Sequence, residues 1–364
     1  MTRHAKLVEA SVPWRTAVRA ALAVGSPHPH SSPCPGRLPP PSVADKRQWS
    51  PLNQRRADSG GASFYNCRMQ LSGVFAPLPT PFDDRDHVDV VRLRAALPRW
   101  LSSPLTGYVV LGSNGEAGLM DDDECDRVVG ETRALVPKGR PFIVGTGRES
   151  TGAAVRAAKR ASDLGADAVL VRTPAVFKSQ MTPEAFVRHY TQVADHSPVP
   201  VLLYNFAAFT GVNLLPATAA TLAQHPNIIG MKESGSDIAQ ISDLVTLTPP
   251  PFSVFAGSGS TFYSALGVGV SGGILALAGL LPTACVTLFE DAREGRHDAA
   301  RDLQRRLLPI ARLISTGFGV PGLKAALRLT GCDVGLPRRP LAPATPDMIA
   351  ALQHALAEFD EATQ

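Results

Sequence analysis

One lysine, Lys232, ends a short apolar run and is the first candidate for chemistry in this sequence. It lies in Ile-Ile-Gly-Met-Lys-Glu-Ser, residues 228–234, whose apolar part is typical of a buried β-strand. Burial disfavours the charged form of an amine and lowers its pKa, and a neutral amine attacks carbonyl groups to form Schiff bases. The alternative is an ordinary strand-end lysine that extends its ammonium group into solvent. Position alone favours that alternative, so the residues around Lys232 must decide.

Other polar groups also follow predicted strands. The stretch Gly112-Ser113-Asn114-Gly115-Glu116 combines glycines, which allow a tight turn, with a hydroxyl and backbone N–H groups that can hold a carboxylate. Tyr204 ends another apolar run and supplies a phenol, and Gly257–Ser260 is typical of either a phosphate-binding loop or a helix start. Each alone has an ordinary explanation as a turn or a rim aromatic. Their shared position at strand ends, with Lys232 among them, predicts one pocket.

These side chains need a frame that brings strand ends together. From Gly73 onward, short β-rich runs alternate with amphipathic stretches. The predicted strands are Gly73–Pro77, Gly107–Leu111, Pro141–Gly145, Ala168–Arg172, Val199–Tyr204, Ile228–Lys232, Ser253–Ala256 and Gly272–Ala276. Continuous apolar strands separated by helices predict a parallel sheet covered on both faces. Eight such units favour an α/β fold, a (β/α)8 TIM barrel with its chemistry at the C-terminal strand ends. A doubly wound sheet is the alternative.

The intervening stretches have helical periodicity. The clearest are Asp121–Val136, Thr151–Leu164 and Pro183–Ala194, the last with Thr182 as N-cap and Pro183 in the first turn. After Gly295 the pattern is helical only, in Asp298–Thr316, Pro321–Leu329 and Thr345–Glu358. We therefore predict a barrel over residues 69–295 and a C-terminal helical region over residues 296–364.

Composition excludes several classes of protein. The chain is 44% hydrophobic and 19% charged, which is ordinary for a soluble globular protein. Its net charge of +4 is unevenly distributed, since residues 1–68, the leader, carry +7 and the remainder carries −3. The remainder therefore lacks the positive charge that is typical of a nucleic-acid-binding protein. The five cysteines are widely spaced, without a CxxC pair or a metal-ligand cluster, and predict free thiols in a reducing compartment. No metal site is expected.

The longest apolar stretch, Ala265–Val286, raises the question of a membrane span. It contains five glycines, with Ser271 and Pro282. The glycine-rich centre breaks helical character, so we expect a buried strand and loops.

The leader has a composition of its own. Residues 1–68 contain nine prolines and no sustained apolar period, which is typical of disorder. Within it, Val12–Val24 can form a short amphipathic helix with two arginines, as in mitochondrial transit peptides. An equally weighted alternative is that translation starts at Met69, just before the first predicted strand.

Three segments resemble one known superfamily. Gly107–Glu124 (GYVVLGSNGEAGLMDDDE), Tyr204-Asn205 and Gly230–Ser234 (GMKES) are similar to the dihydrodipicolinate synthase and N-acetylneuraminate lyase superfamily, over about residues 71–361. Its members are class I pyruvate-handling lyases on a (β/α)8 barrel with a C-terminal helical region. They commonly form tetramers built as dimers of dimers, so the resemblance implies a homo-oligomer, a tetramer or a dimer.

The resemblance also implies roles for individual residues. Lys232 would form the Schiff base with a small 2-oxo acid, with no other cofactor, and Tyr204 would move protons. The 2-oxo acid's carboxylate would be held at the turn after the second strand, and two further residues would line the pocket. The residues in these binding positions are Ser113, Asn114, Gly115, Gly257 and Ile274.

Departures from the superfamily pattern indicate which of its activities this protein has. Dihydrodipicolinate synthases usually have Thr-Thr at Ser113-Asn114, an arginine at Phe209 and a second, proton-relaying tyrosine at Phe177. A phenyl ring neither relays a proton nor pairs with a carboxylate, which argues against the lysine-biosynthetic role. The turn, His225–Ile228 and Phe318–Lys324 are most similar to 4-hydroxy-2-oxoglutarate aldolase, although the missing tyrosine and Ala207, where proline is usual, depart from it as well.

The leading interpretation is therefore a Schiff-base aldolase that cleaves 4-hydroxy-2-oxoglutarate to pyruvate and glyoxylate. The alternatives are an aldolase for 2-keto-3-deoxy sugar acids, a dihydrodipicolinate synthase-like enzyme, and a catalytically silent family member with a binding role. A mitochondrial or cytoplasmic location is expected, since animal members of the aldolase family are mitochondrial. Neither a nucleic acid nor a membrane is an expected partner.

Overall fold

Eight parallel strands form a closed barrel in the computed structural model, which describes residues 70–248 and 250–361. The strands are β1 (Gly73–Pro77), β2 (Gly107–Val110), β3 (Phe142–Gly145), β4 (Ala168–Arg172), β5 (Val201–Asn205), β6 (Ile228–Glu233), β7 (Ser253–Ala256) and β8 (Gly272–Ile274). Because β8 pairs with β1, the predicted (β/α)8 barrel is confirmed and the doubly wound sheet was wrong. The predicted leader, residues 1–68, lies outside the described residues.

Helices follow the strands around the barrel and continue beyond it. They are α1 (Val90–Leu101), α2 (Asp122–Arg133), α3 (Thr151–Asp163), α4 (Pro183–His196), α5 (Ala207–Thr210), α6 (Pro216–Leu222), α7 (Ile238–Leu247), α8 (Phe262–Gly267), α9 (Ala276–Leu280), α10 (Pro282–Arg293), α11 (His297–Arg312), α12 (Gly319–Leu329) and α13 (Pro346–Glu361). Between α11 and α12 the chain makes a short π-helical turn, Leu313–Gly317. The predicted helix Asp298–Thr316 therefore changes its hydrogen bonding in its last turn.

Local sequence signals fix several helix starts. Thr182 caps α4 as predicted, since its side chain accepts a hydrogen bond from the Ala185 N–H. Asp121 and Glu124 form a reciprocal capping box at the start of α2. These caps place α2 directly after the loop that follows β2, where the Gly112–Glu116 turn lies, and α4 directly after the loop that follows β4.

The apolar stretch Ala265–Val286 differs from its predicted form. Its glycine-rich centre is the short strand β8, as expected, but its second half is α9 and the start of α10 rather than loops. Pro282 sits in the first turn of α10, where its missing N–H costs no hydrogen bond. Across residues 70–248 and 250–361, no helix has the length and apolarity needed to cross a bilayer.

Side-chain alternation along the strands separates two cores. One face of each strand packs against the surrounding helices, and the other fills the barrel. The interior cluster comprises Leu71, Phe75, Val109, Ile143, Ala168, Leu170, Leu202, Tyr204, Ile229, Phe255 and Ile274. Phe75 and Phe255 meet edge to face with ring centroids 5.5 Å apart. Filling by apolar side chains makes the barrel a packed core, so polar groups gather at its C-terminal mouth.

Candidate active site

Lys232 and Tyr204 lie side by side inside the barrel. They are register partners on β6 and β5. Leu202, earlier on β5, and Ile229, earlier on β6, belong to the interior cluster of the barrel. Lys232 is 4% exposed and Tyr204 3% exposed, so the predicted burial of this lysine is present. The Lys232 Nζ lies over the Tyr204 ring, 4.5 Å from its centroid. An amine in van der Waals range of a phenol at the end of a parallel strand is placed for carbonyl chemistry.

The turn after β2 reaches the same phenol. The Ser113 Oγ and the Tyr204 hydroxyl are 3.0 Å apart and share a hydrogen bond. Backbone hydrogen bonds close the turn, from the Gly115 N–H to the Gly112 carbonyl and from the Glu116 N–H to the Ser113 carbonyl. Asn114, in the same turn, is half-buried. The structure thus brings Ser113, Tyr204 and Lys232 together, as their positions at strand ends predicted.

Gly257, directly after β7, and Ile274, at the end of β8, are the two predicted wall residues of the pocket. Ile274 is fully buried in the interior cluster that includes Tyr204. Gly257 follows β7, and its N–H donates to the Glu233 carbonyl. A Cβ at Gly257 would come within 2.0 Å of the Ser234 Oγ, so only glycine fits between β6 and β7 here.

Ser234 is a site residue that sequence reasoning missed. It lies two residues beyond Lys232, and side chains two apart on an extended strand point the same way. Its hydroxyl occupies the space beside Gly257. The signal was available in the sequence: a polar residue at i+2 from an interior lysine shares its face.

A buried carboxylate ties the ends of β5 and β6 together. Glu233 is 1% exposed, and its oxygens accept hydrogen bonds from the Asn205 side chain (2.7 Å), the Gly235 N–H (2.6 Å) and the Gln240 side chain (3.0 Å). Burial raises the pKa of Glu233, while these hydrogen bonds oppose that shift. Because Asn205 and Glu233 directly follow Tyr204 and Lys232, the network fixes both strand ends.

A second buried carboxylate follows the Ser113 turn. Glu116 pairs with Lys324 of α12 at 2.6 Å, with each side chain 1% exposed. Burial raises the pKa of Glu116 and lowers that of Lys324, and their mutual attraction opposes both shifts. Sequence reasoning used both residues only as parts of motifs and did not predict that they meet.

Aromatic side chains extend from Tyr204 toward the surface. Phe206 stacks on Tyr204, with ring centroids 6.4 Å apart, and Phe209 stacks on Phe206 at 5.6 Å. Phe209 is 61% exposed and Phe177, on the loop after β4, is 72% exposed. Phe177 and Phe209 are therefore both open to solvent.

One cation ends the strand next to Tyr204. Arg172 is the register partner of Tyr204 on β4 and shares the interior face of Ala168 and Leu170. Its guanidinium donates to Glu149 Oε1 and to the Thr173 carbonyl, both at 2.8 Å. Sequence reasoning placed Arg172 at a strand end but assigned it no role. A guanidinium has five N–H donors, so it can bind a further anion without leaving Glu149.

Metal-ligating residues do not gather in this part of the chain. Within residues 70–248 and 250–361, no group of three His, Cys, Asp or Glu side chains has the spacing of a metal site. The cysteines that the structure describes, Cys125, Cys285 and Cys332, are buried free thiols.

Known proteins are similar to this chain in sequence and in fold. Residues 70–359 match the dihydrodipicolinate synthetase family. A 4-hydroxy-tetrahydrodipicolinate synthase of Exiguobacterium is 34% identical over 296 residues, covering 81% of this chain and all of the relative. The crystal structure of dihydrodipicolinate synthase from Thermotoga maritima superposes with a TM-score of 0.77 at 30% identity, covering 80% of this chain and 99% of that one.

A further solved structure carries a ligand. The prophage protein YagE of E. coli K12, crystallised in complex with pyruvate, has a TM-score of 0.75 and 27% identity, over 79% of this chain and 98% of its own. The sequence matches and the barrel fold thus indicate the same family. This chain belongs to the dihydrodipicolinate synthetase family.

Proposed function

We propose that this protein is a class I aldehyde-lyase in which Lys232 forms a Schiff base with a 2-oxo acid, without a metal or other cofactor. The observation that carries the proposal is the contact between an amine, a phenol and a turn inside the C-terminal end of the barrel. Lys232 Nζ lies 4.5 Å from the Tyr204 ring centroid, and the Tyr204 hydroxyl lies 3.0 Å from Ser113 Oγ. A buried amine beside a proton-transferring group is the arrangement that Schiff-base catalysis requires.

The proposed reaction begins when the Lys232 amine adds to the C2 carbonyl and gives a carbinolamine. Loss of water leaves an iminium ion, whose nitrogen draws electrons from C3. Tyr204, which gives its own proton to the departing hydroxyl in this dehydration, then takes the proton of the C4 hydroxyl as the C3–C4 bond breaks, the aldehyde leaves, and the bonding electrons form an enamine. Protonation of the enamine at C3 and addition of water then release pyruvate and the free amine.

The turn after β2 would bind the carboxylate of the 2-oxo acid. Ser113 and Asn114 offer a hydroxyl and an amide, and Gly115 allows the backbone to approach closely. Gly257 and Ile274 would form the adjacent wall. The Ser113–Tyr204 hydrogen bond links this carboxylate site to the proton-transferring phenol.

The substrate that we propose is 4-hydroxy-2-oxoglutarate, which would yield pyruvate and glyoxylate. Phe209 cannot pair with a distal carboxylate, whereas Arg172 ends the strand beside Tyr204 and has donors to spare. A compact substrate with its second carboxylate close to the breaking bond suits a cation on the strand itself.

A second candidate is supported by the names of the relatives. The family match and the Exiguobacterium protein favour 4-hydroxy-tetrahydrodipicolinate synthesis. The remaining candidates are cleavage of 2-keto-3-deoxy sugar acids and a catalytically silent protein that binds a 2-oxo acid. The exposed Phe177 and Phe209, in place of a tyrosine and an arginine, motivate these alternatives.

Kinetic comparison of the three reactions separates the candidates. Pyruvate release from 4-hydroxy-2-oxoglutarate and from a 2-keto-3-deoxy sugar acid is measured beside formation of 4-hydroxy-tetrahydrodipicolinate. We expect the highest kcat/KM for 4-hydroxy-2-oxoglutarate, and we expect Arg172→Leu to raise its KM by about tenfold while changing that of the sugar acid much less. A dominant synthase reaction would support the second candidate, and a folded protein without any of the three activities would support the silent one.

We further propose that the protein forms a homo-oligomer, a dimer or a tetramer. Val176, Phe177 and Phe209 expose 66%, 72% and 61% of their surface beside the barrel mouth, and a second copy would remove them from water. A mitochondrial or cytoplasmic location depends on residues 1–68, which lie outside the described residues.

A further inference from the structure

The buried ion pair Glu116–Lys324 connects the barrel mouth to a helix outside the barrel. The Lys324 ammonium lies 2.6 Å from Glu116 Oε1, and each side chain is 1% exposed. The ammonium also donates to the carbonyl oxygens of Thr80 (2.7 Å) and Leu336 (2.9 Å), and it lies 4.7 Å from the centroid of the Phe82 ring. Two of its three N–H donors therefore bond to backbone carbonyls, while its charge pairs with the Glu116 carboxylate.

The Glu116 side of the pair is equally fixed. Its second oxygen, Oε2, accepts the backbone N–H of Arg338 at 2.7 Å. Glu116 has φ 56°, in the left-handed region that a residue with a Cβ rarely adopts. A turn that ends in this conformation needs outside contacts to hold it, and the ion pair supplies them.

Thr80 joins the ion pair to the turn itself. Its carbonyl accepts from Lys324, while its hydroxyl donates to the Gly115 carbonyl at 2.7 Å. Two consecutive residues of the turn, Gly115 and Glu116, are therefore held from the same side. Ser113 lies two residues before Gly115, and its hydroxyl meets Tyr204.

Stability alone gives a poor account of this pair. Replacing a buried ion pair by apolar side chains of similar size is often neutral or stabilising, because two charges must lose their hydration. The ion pair and its hydrogen bonds have a fixed geometry, which apolar side chains of the same size could not provide. That geometry is imposed on the turn whose Ser113 touches the phenol.

We propose that Lys324 and Glu116 are positioning residues, which hold the turn Gly112–Glu116 in the conformation that binds the carboxylate of the 2-oxo acid. The inference rests on the proposed function, since it assigns the turn to that carboxylate. Helix α12, which lies outside the barrel and carries Lys324, thereby helps to hold the site in place. Neither residue needs to touch the substrate.

Borohydride trapping of pyruvate on the full chain tests the proposal. In Lys324→Met and in Glu116→Gln, we expect the pyruvate concentration that gives half-maximal adduct on Lys232 to rise by about tenfold or more, because a small misplacement of a binding group has an effect of this size. We expect the maximal adduct yield to persist and kcat to fall by a smaller factor than KM rises.

Two controls separate positioning from stability. Asn227→Ala removes buried hydrogen bonds to the carbonyls of Ala194 and Ser197 before the start of β6, far from the mouth. It should lower Tm without changing half-saturation. The double variant Glu116→Gln/Lys324→Met removes both charges, so its Tm should exceed that of Lys324→Met while its half-saturation stays raised.

The outcomes are distinct. Unchanged half-saturation in Glu116→Gln and in the double variant would overturn the positioning role, and so would a rise in Asn227→Ala equal to theirs. No adduct in the unaltered protein would overturn the proposed function, and this inference with it. If Lys324→Met does not fold, the comparison rests on Glu116→Gln, which keeps the shape of the side chain.

Discussion

The Tyr204 ring and its hydroxyl contribute to the candidate site in different ways. The ring face lies below the Lys232 amine and excludes water from one side of it. The hydroxyl points to Ser113 and is the group placed to move protons. Separating these two contributions requires a variant that keeps the ring and loses the oxygen.

Tyr204→Phe is that variant. We expect it to form the pyruvate adduct on Lys232 but to cleave substrate with a kcat lower by about 10²–10⁴, the usual range for loss of a general acid–base. Steady-state kinetics and trapping on the same preparation measure both quantities. Ser113→Ala is the matched control, since it removes the partner of the phenol and should mainly raise KM. A Tyr204→Phe kcat within threefold of the unaltered value would show that another group moves the proton.

At the scale of residues, the sequence predicted those groups whose residue type is unusual for their position. Lys232, Tyr204 and Ser113 stand at strand ends with unusual chemistry for those positions, and the structure brings them together. Lys324 could not be paired with Glu116 in this way, because 208 residues separate them and each looks like a solvated charge on its own element. Long-range pairing depends on packing that periodicity does not encode.

Among the elements, helix α4 carries a titratable group that has no part in the proposed chemistry. His189 of α4 is 7% exposed, and its Nδ1 lies 2.8 Å from the Thr151 hydroxyl of α3. Burial lowers the pKa of His189 to about 4, while the Glu149 carboxylate opposes this shift. The imidazole is therefore neutral between two packed helices across the neutral pH range.

This group makes the stability of the fold depend on pH. In the unfolded chain His189 takes up its proton near pH 6.5, but in the folded protein only near pH 4, so its contribution is present above about pH 6.5 and is lost as the pH falls to about 4. The contribution amounts to about 3 kcal/mol. Denaturant unfolding at pH 7 and pH 4 should show a drop that is smaller in His189→Gln by about this amount. Equal drops in the two proteins would contradict the assignment.

Element boundaries were predicted where local chemistry marks them. Gly73–Pro77, Ala168–Arg172 and Ser253–Ala256 have the predicted ends, since glycine, proline and charge changes delimit them. Val199–Tyr204 begins two residues later than predicted and ends at Asn205, because Asn205 joins the ladder through its pairing with Glu233. Its side chain belongs to the buried hydrogen-bond network. A pattern of apolar residues does not predict that a polar residue is part of a strand when tertiary hydrogen bonds place it there.

For the whole molecule, repetition of one unit made the fold predictable. Eight apolar runs with helical stretches between them leave few ways to cover a parallel sheet, and closure of β8 on β1 is one of them. The substrate of the proposed enzyme was harder to predict from the sequence. Substrate choice depends on where side chains such as Arg172 and Phe209 end up at the mouth, which loop sequences do not determine.

The state of assembly is a prediction at this scale. Phe177 is exposed beside the mouth, and we expect a second copy to cover it. Phe177→Asp should lower the mass measured by size exclusion with light scattering, while Val91→Asp, at an equally exposed valine on α1, should not. A single-chain mass of 38.5 kDa for the unaltered protein at all concentrations would contradict the prediction.

The proposed mechanism depends on a covalent bond between Lys232 and a 2-oxo acid. Its most direct test is incubation of the protein with pyruvate and borohydride, followed by peptide mass spectrometry, with Lys232→Ala and a pyruvate-free sample as controls. We expect one reduced pyruvate adduct per chain, on Lys232, that is absent from both controls. An intact, folded protein with no adduct on Lys232, or with an equal adduct in Lys232→Ala, would contradict it.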